Sequence, residues 1–382
     1  MNLSMQFIKA NDELCTFDCH VNAPLFRKSF SLKTVPQTAE LTICGLGFYV
    51  LYVNGKDITK GPLAPYISAP DDLCCFDRYD ISPHLRPGEN VVGVMLGNGM
   101  QNAFGGFVWD FDKAPWRDSV AFSMTVTADD TTLFCADETF TTHPSPITFD
   151  DLRMGCYYDA RLEIDGWNEP GFDDSGWANA RFAKAPRGKA VLTAAEPICI
   201  SKTLKPTRIL PCKGGYLYDF GENTAGVCRL TIDGAPGQTV TMTHVEMIKD
   251  GEPFLDNISF LRPDTWDIYQ AYNQKDRYIC RGGPAEFVPY FTYHGFQYVF
   301  VEGITKEQAT PALLTCLVMH SNLSVRGTFS CSDDCVNKLY EMAHRSDLAN
   351  FYYFPTDCPH REKNGWTGDA SMSAEHMLQW LG

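Results

Sequence analysis

The chain has 382 residues, of which 44% are hydrophobic and 21% charged, a composition typical of soluble globular proteins. This length exceeds one ordinary core and predicts two or three domains. The net charge of −15 argues against nucleic acid or an anionic membrane as a main partner, because phosphate binding depends on clustered Lys and Arg.

The first residues show no basic region followed by an apolar stretch, so the sequence indicates no secretory signal. No apolar run approaches the roughly 20 residues of a membrane span. The fifteen cysteines are scattered, and pairs such as Cys74-Cys75 fit no zinc spacing. We therefore predict a cytoplasmic protein with reduced thiols, no membrane partner, no metal and no cofactor.

Residues 30 to about 135 are predicted to form antiparallel β-structure. Residues 41–44 and Phe48–Val53 are rich in β-branched and aromatic side chains. Asn54-Gly55 follows directly and predicts a hairpin, because both residues tolerate the positive φ of a type I′ turn. Residues 91–96 and 120–126 continue the pattern.

A second strand-rich region runs from about 195 to 320, with strands predicted at 228–232, 239–244, 298–301 and 313–318. Short strands separated by turn signals favour β-sandwich domains. The stretch between the two regions, from Asp150 to about Ala190, is rich in Gly, Pro, Asp and Trp and is predicted to be an ordered connector.

The hydrophobic period changes after residue 330. Ser332 is the predicted N-cap of a helix that continues with a 3.6-residue rhythm to Phe351. Pro355 and Pro359 end this helix, and a second one is predicted to begin near Asp369. An apolar pair of helices cannot bury itself alone, so it either docks on the second sandwich or begins a helical domain.

The loop between these helices carries the chemistry that the residue types suggest. Asp357, Glu362 and Asp369 are spaced by five and seven residues, and Pro and Gly between them allow the loop to bring them together. Carboxylates held close together can retain a proton near neutral pH, as a glycosidase acid must. Trp366 offers a face for a sugar ring, and Arg361 a clamp for hydroxyls or carboxylates. The alternative is a salt-bridged loop between helices, without catalytic function.

With these residues, the chain resembles the bacterial α-L-rhamnosidases of glycoside hydrolase family 78 from about residue 25 onward. Each short motif is weak alone, but their ordered series is specific. The series consists of residues 47–55, 79–81, 88–99, 158–163, 166–175, 219–226, 289–298, 329–333, 355–359 and 365–369.

The resemblance implies an inverting mechanism with Glu362 as the general acid, and Asp357 and Asp369 holding the rhamnose. It implies that Trp366 forms part of the sugar-binding wall and that Arg361 supports the carboxylates. The family's general base is a glutamate later in the barrel, to which no position here corresponds. His360, Asn364, Glu222 and Cys156 stand where the family usually has Gln, an apolar residue, Gln and Glu. These departures bear on substrate preference.

We therefore predict a mainly β chain with two β-sandwich domains followed by the first helices of an (α/α)6 six-hairpin barrel. The predicted domains are an N-terminal β-sandwich with its connector (1–190), a concanavalin-like sandwich (191–322) and an incomplete catalytic domain (323–382).

The predicted function is release of terminal α-L-rhamnose from small rhamnose-containing glycosides or oligosaccharides, and we expect these residues alone to be inactive without the base. The alternatives are a non-catalytic carbohydrate-binding protein and a six-hairpin glycosidase for another sugar. The sequence does not predict the oligomeric state.

Overall fold

The computed structural model describes residues 3–16, 19–103, 111–257 and 273–382. The chain forms two compact units, called unit 1 and unit 2 below. Unit 1 comprises Met1–Leu152 and Leu162–Ala195, and unit 2 comprises Arg153–Arg161 and Glu196–Gly382. None of the helices in the described ranges has the length and apolar character needed to cross a membrane.

Strands make up most of the regular structure, and they are numbered here in chain order. The first fifteen are β1 (Phe7–Lys9), β2 (Pro24–Leu32), β3 (Ala39–Leu46), β4 (Phe48–Val53), β5 (Lys56–Asp57), β6 (Leu73–Asp80), β7 (Gly88–Gly97), β8 (Ala121–Ala128), β9 (Thr131–Cys135), β10 (Thr141–Pro144), β11 (Ile147–Asp151), β12 (Gly155–Asp159), β13 (Ala178–Asn179), β14 (Arg181–Ala183) and β15 (Lys189–Leu192). The others are β16 (Ile198–Leu204), β17 (Arg208–Cys212), β18 (Gly215–Gly234), β19 (Thr239–Val245), β20 (Met247–Lys249), β21 (Glu252–Phe254), β22 (Lys275–Ile279), β23 (Gly283–Phe287), β24 (His294–Glu302), β25 (Leu314–Ser321), β26 (Phe351–Tyr352) and β27 (Phe354–Pro355). Short 3₁₀ helices lie at Ser82–His84, Phe111–Lys113 and Ala160–Leu162.

Unit 1 contains two sheets that enclose a common core. One sheet has the order β14-β1-β8-β3-β6-β15, with β9 paired to β8, and the other has the order β13-β10-β2-β7-β4-β5. Alternate residues of one strand face the same side of its sheet, and Tyr49, Leu51 and Val53 of β4 are accordingly buried. They belong to one cluster with Leu41 and Phe122 of the facing sheet. The predicted sandwich architecture is therefore present in unit 1.

The hairpin predicted at Asn54-Gly55 is confirmed. β4 pairs with β5 through Val53 and Lys56, and both turn residues have positive φ, 50° at Asn54 and 83° at Gly55. This is the backbone conformation that a type I′ turn requires.

Most strands of unit 2 form one large sheet in the order β12-β22-β19-β24-β18-β25-β16, with β17 and β23 also paired to β18, while β20-β21 and β26-β27 are separate two-stranded sheets. β18 is 20 residues long, and its register with β24 shifts between Asp219 and Thr224. The segment predicted as a connector supplies strands to both units, with β12 in unit 2 and β13 to β15 in unit 1.

Two α-helices follow the second sheet, α1 (Asp334–Ala349) and α2 (Thr367–Trp380). The N-cap predicted at Ser332 is wrong by one residue, because the Asp333 carboxylate accepts the free N–H groups of the first turn. α1 ends before Phe351, which already belongs to β26. The order of strands first and helices last confirms the predicted fold class. The domain boundaries at 190 and 322 remain predictions.

Candidate active site

The loop between α1 and α2 is held against the sheet of unit 2. It begins with the two-stranded turn of β26 and β27, in which the Tyr352 hydroxyl donates to the Met319 carbonyl at 2.8 Å. The Tyr352 ring also stacks on Tyr293, with ring centroids 3.6 Å apart. A side chain at Gly295 would place its Cβ 2.7 Å from Pro359, so glycine is needed there for the loop to approach the strand.

Glu362 is buried near the end of this loop, with 8% of its surface exposed. The indole Nε1 of Trp366 donates a hydrogen bond to Glu362 Oε2 at 3.1 Å. Because Oε2 accepts this bond, the proton of the acid form belongs on Oε1. The Trp366 side chain is itself partly exposed, at 40%, so it covers one side of the carboxyl group and presents another surface to solvent.

Asp357 is bound to the same loop through both its backbone and its side chain. Its N–H donates to the Asn364 carbonyl, and the Asn364 N–H donates to Asp357 Oδ1, each at 3.0 Å. The Cys358 thiol donates to Asp357 Oδ2 at 3.0 Å and accepts the Glu362 N–H at 3.4 Å. Burial, together with the bond to Asp357, raises the pKa of Cys358. Cys358 therefore links the two acidic residues as a protonated thiol.

The other predicted site residues lie at the edge of this arrangement. Asp369 is exposed in the first turn of α2, and within the described residues no hydrogen bond or ion pair joins it to Asp357 or Glu362. Arg361 is half-buried, and its charge acts on His360 and Glu246. The structure thus brings Asp357, Glu362 and Trp366 into one loop network and leaves Asp369 outside it.

Two buried cations, Arg153 and Lys363, hold this loop, and the sequence did not predict either role. Arg153 Nε donates to the Glu362 carbonyl at 2.7 Å, and its Nη2 donates to Asn364 Oδ1 at 2.6 Å. Lys363 Nζ donates to the Tyr293 carbonyl and, at 3.3 Å, to the Arg153 carbonyl. Arg153 lies more than 200 residues before the loop in sequence, so no local spacing could have indicated the contact.

The side chain of Glu246 also lies beside the loop. His360 Nδ1 lies 3.4 Å from Glu246 Oε2, a distance that would suit an ion pair. However, burial and the charges of Arg361 and Lys363 lower the pKa of His360 to about 4, so the imidazole is neutral at pH 7. Burial raises the pKa of Glu246, opposed by a hydrogen bond from Asn223 and by Arg361.

Among the described residues, His244, Asp276 and His294 form the group whose ligand atoms could hold a metal ion, since these atoms lie within 4.8 Å of one another. His294 Nε2 is 3.0 Å from Asp276 Oδ2, and the two imidazoles stack with centroids 4.2 Å apart. The Lys363 charge acts on all three side chains. The Lys363 ammonium group repels a divalent metal ion and already balances the Asp276 carboxylate, which disfavours metal binding by these three residues.

Three family models match consecutive parts of the chain. Residues 34–202 match the alpha-L-rhamnosidase N-terminal domain. Residues 211–320 match the bacterial alpha-L-rhamnosidase concanavalin-like domain, and residues 324–380 match the six-hairpin glycosidase domain of the same enzymes. The candidate site loop lies in the third match.

Individual relatives agree with these models. The chain is 32% identical over 371 residues to an alpha-L-rhamnosidase of Formosa agariphila, an alignment that covers 93% of this chain and 38% of the relative. It is 30% identical to one of Streptomyces avermitilis, with 90% of this chain and 34% of the relative covered. The chain therefore spans little more than a third of the length of these curated relatives.

Solved structures show the same relationship. An alpha-L-rhamnosidase from Dictyoglumus thermophilum is 33% identical with a TM-score of 0.86, and the match covers 98% of this chain and 42% of that one. The Streptomyces avermitilis enzyme complexed with L-rhamnose is 28% identical with a TM-score of 0.85, and the match covers 95% of this chain and 35% of that one.

Proposed function

Because the chain belongs to the bacterial alpha-L-rhamnosidase family, we propose that it supplies the general-acid half of an inverting α-L-rhamnosidase site. The observation that carries this proposal is the buried Glu362 carboxyl group, whose Oε2 is held by the Trp366 indole. The substrates would be small rhamnose-containing glycosides or oligosaccharides. Support for this sugar comes from the family match and from a relative whose structure contains L-rhamnose.

In this mechanism Glu362 Oε1 transfers its proton to the glycosidic oxygen as the bond from that oxygen to the anomeric carbon breaks. A water molecule attacks the anomeric carbon from the opposite face of the sugar, and a second carboxylate removes its proton. The exposed face of Trp366 would contact the sugar ring. Asp357 and Asp369 would accept hydrogen bonds from sugar hydroxyls, and Arg361 would balance the negative charge around them.

The general base of an inverting enzyme lies about 6.5–9.5 Å from the acid, which leaves room for the water molecule. The family's base is a glutamate in a later part of the barrel, beyond the region that these residues match. We propose that the 382 residues alone therefore have little or no hydrolytic activity. An aryl rhamnoside assay of this chain, beside a form extended through a complete barrel, tests this directly.

The acid assignment is tested by Glu362→Gln in the extended, active form. General acid catalysis contributes about 10²–10⁴-fold, and a loss of this size is expected on substrates with a poor leaving group. A dinitrophenyl rhamnoside should be affected much less, because its leaving group departs without a proton. Glu307→Gln, a change at a fully exposed glutamate, is the matched control. Unchanged turnover of Glu362→Gln on an alkyl or flavonoid rhamnoside would contradict the assignment.

A further inference from the structure

The two buried cations that hold the loop act on the backbone at Glu362 and on the two residues after it, not on the Glu362 carboxyl group. Arg153 donates from one guanidinium group to the carbonyl of Glu362 and to the side chain of Asn364, two residues further along. These two bonds fix the direction of the backbone through residues 362–364. The backbone N–H of Asn364 in turn donates to Asp357. Arg153 therefore also helps to hold the Asp357 carboxylate in place.

Lys363 fixes the same stretch from the inside. Its side chain is 3% exposed and runs inward, with Nζ 4.5 Å from the centre of the Tyr293 ring and bonded to the Tyr293 carbonyl. Its backbone has φ of 54°, a left-handed conformation that costs free energy in a non-glycine residue and persists only when surrounding contacts enforce it. The contacts of Nζ provide that enforcement.

This geometry directs the neighbouring side chain. With Lys363 held inward and the chain turning at its positive φ, the preceding Glu362 side chain reaches Trp366, whose indole bonds Oε2. A catalytic acid needs such support because a misplacement of about 1 Å can cost on the order of 10²-fold in rate. Burying two cations opposes folding unless their donors are satisfied. Here Arg153 donates to Glu362 and Asn364, and Lys363 donates to the carbonyls of Tyr293 and Arg153.

We propose that Arg153 and Lys363 are positioning residues that hold the Glu362 carboxyl group against Trp366, an inference that rests on the proposed acid role of Glu362. Neither residue is proposed to touch the substrate. Loss of either cation should release the loop backbone at residues 362–364 and break the contact between Glu362 and Trp366 while the sheet of unit 2 stays folded.

The test uses the 382-residue chain labelled with 5-fluorotryptophan and ¹⁹F NMR over a range of pH. The chain has seven tryptophans, and Trp366→Phe identifies the signal of Trp366. In the wild type this signal should shift with pH in one step, and Glu362→Gln should abolish the step. In Arg153→Gln and Lys363→Met the Trp366 signal should move and lose its pH-dependent step, while the other tryptophan signals stay in place.

Arg161→Gln is the matched control, because Arg161 lies in the same segment as Arg153 but is half exposed and paired with Asp159. It should leave the Trp366 signal unchanged. If Arg153→Gln fails to fold, Arg153→Lys takes its place, since lysine retains the charge and one donor but cannot bond both loop residues. We expect it to weaken the Trp366 step and not to remove it.

A Trp366 signal that keeps its position and its titration in folded Arg153 and Lys363 variants would overturn the positioning role. That result would leave the acid assignment intact, because the assignment is tested separately by turnover of Glu362→Gln. Conversely, unchanged turnover of Glu362→Gln would remove the acid role, whatever the fluorine spectra show of the contact.

Discussion

Asn364 shows how one departure from the family pattern is accommodated in this protein. Its side-chain oxygen accepts the Arg153 guanidinium at 2.6 Å, and its N–H donates to Asp357. An apolar residue, as is usual in the family at this position, would keep the second bond and remove the first. The choice of residue at position 364 thus depends on the buried Arg153, which is far from it in the sequence.

Asn364→Leu should therefore destabilise the protein. Removing the acceptor leaves one buried N–H of Arg153 without this partner, at a cost of about 1–3 kcal/mol in the free energy of unfolding. Asn364→Asp retains an acceptor and should remain within about 0.5 kcal/mol of the wild type or become more stable. Urea unfolding of the three proteins measures the difference. Equal stability of the leucine variant would mean that Arg153 does not depend on Asn364.

The residues of the site differ in how visible they are in the sequence. Asp357, Glu362 and Trp366 lie within ten positions of one another on a Pro/Gly-rich loop, so their proximity follows from local spacing. Arg153 could not be predicted, because its contact with the loop depends on how β12 enters the sheet of unit 2. In the sequence Lys363 is only a positive charge next to Glu362. Its burial could not be predicted, because it depends on how the loop folds. His244, Asp276 and His294 meet only after β19, β22 and β24 pair.

At the level of elements, the start of α1 depends on which acidic or hydroxyl side chain reaches the first free N–H groups. Asp333 Oδ1 accepts the N–H of Cys335 at 2.8 Å and that of Val336 at 3.4 Å. By residue type alone, Ser332 is as suitable an N-cap as Asp333, since serine and aspartate are both favoured at this position. The side chain that meets the N–H groups depends on the backbone angles at the junction, which composition does not determine.

Asp333→Ala should destabilise α1, and Ser332→Ala should not. Loss of a capping side chain costs about 0.5–2 kcal/mol, and the effect should be concentrated in the first turn. Hydrogen exchange of the amides of residues 335–337, followed by mass spectrometry, measures it locally. The serine variant serves as the control because it makes a similar truncation one residue earlier. Equal protection in the two variants would show that the cap is not where the structure places it.

The strands illustrate the same division between local and non-local information. β4 was predicted to the residue, because its alternating aromatic and β-branched side chains end at a strong turn. Only 228–232 of the 20-residue β18 was predicted, since its first half contains Asp, Gly, Glu and Asn, which resemble a turn. β13 to β15 were missed altogether, because strands of two to four residues exist only through pairing with distant strands of unit 1.

Over the whole molecule, buried ionisable groups determine how stability responds to pH. Burial and the nearby His294 lower the pKa of His244 to about 3, and burial lowers that of His294 well below 6.5. His360 is lowered to about 4. Burial acts in the opposite direction on carboxyl groups, raising the pKa of Asp276 to about 6 and that of Asp150 in unit 1 to about 7.

The signs of these contributions follow from proton binding. A histidine whose pKa is lower in the folded state binds more protons when unfolded, so its contribution to stability is present above pH 6.5 and is lost as the pH falls. A carboxyl group whose pKa is raised in the folded state contributes stability at low pH that is lost as the pH rises through its folded value. The histidines therefore oppose the carboxyl groups, which include Glu246, whose pKa is also raised by burial. The contribution of His244 to stability should be lost between pH 7 and pH 5.

His244→Asn tests this balance at its centre, where Asp276, His294, Lys363 and the Gln274 carbonyl face the imidazole. Asparagine can replace the Nδ1 donor that bonds Gln274, but it does not titrate. The free energy of unfolding of the wild type should fall by about 2 kcal/mol more than that of the variant between pH 7 and pH 5.

Urea unfolding at pH 5, 6, 7 and 8 gives the slopes, and comparing slopes removes the pH-independent cost of the smaller side chain. His143→Asn makes the same substitution in unit 1 and controls for loss of one imidazole. Because Asp276 and His244 act with opposite signs, Asp276→Asn should steepen the acid loss that His244→Asn reduces. A wild type whose stability is constant or rises from pH 7 to pH 5, with no difference in the His244 variant, would show that the buried cluster already carries the proton in the folded protein.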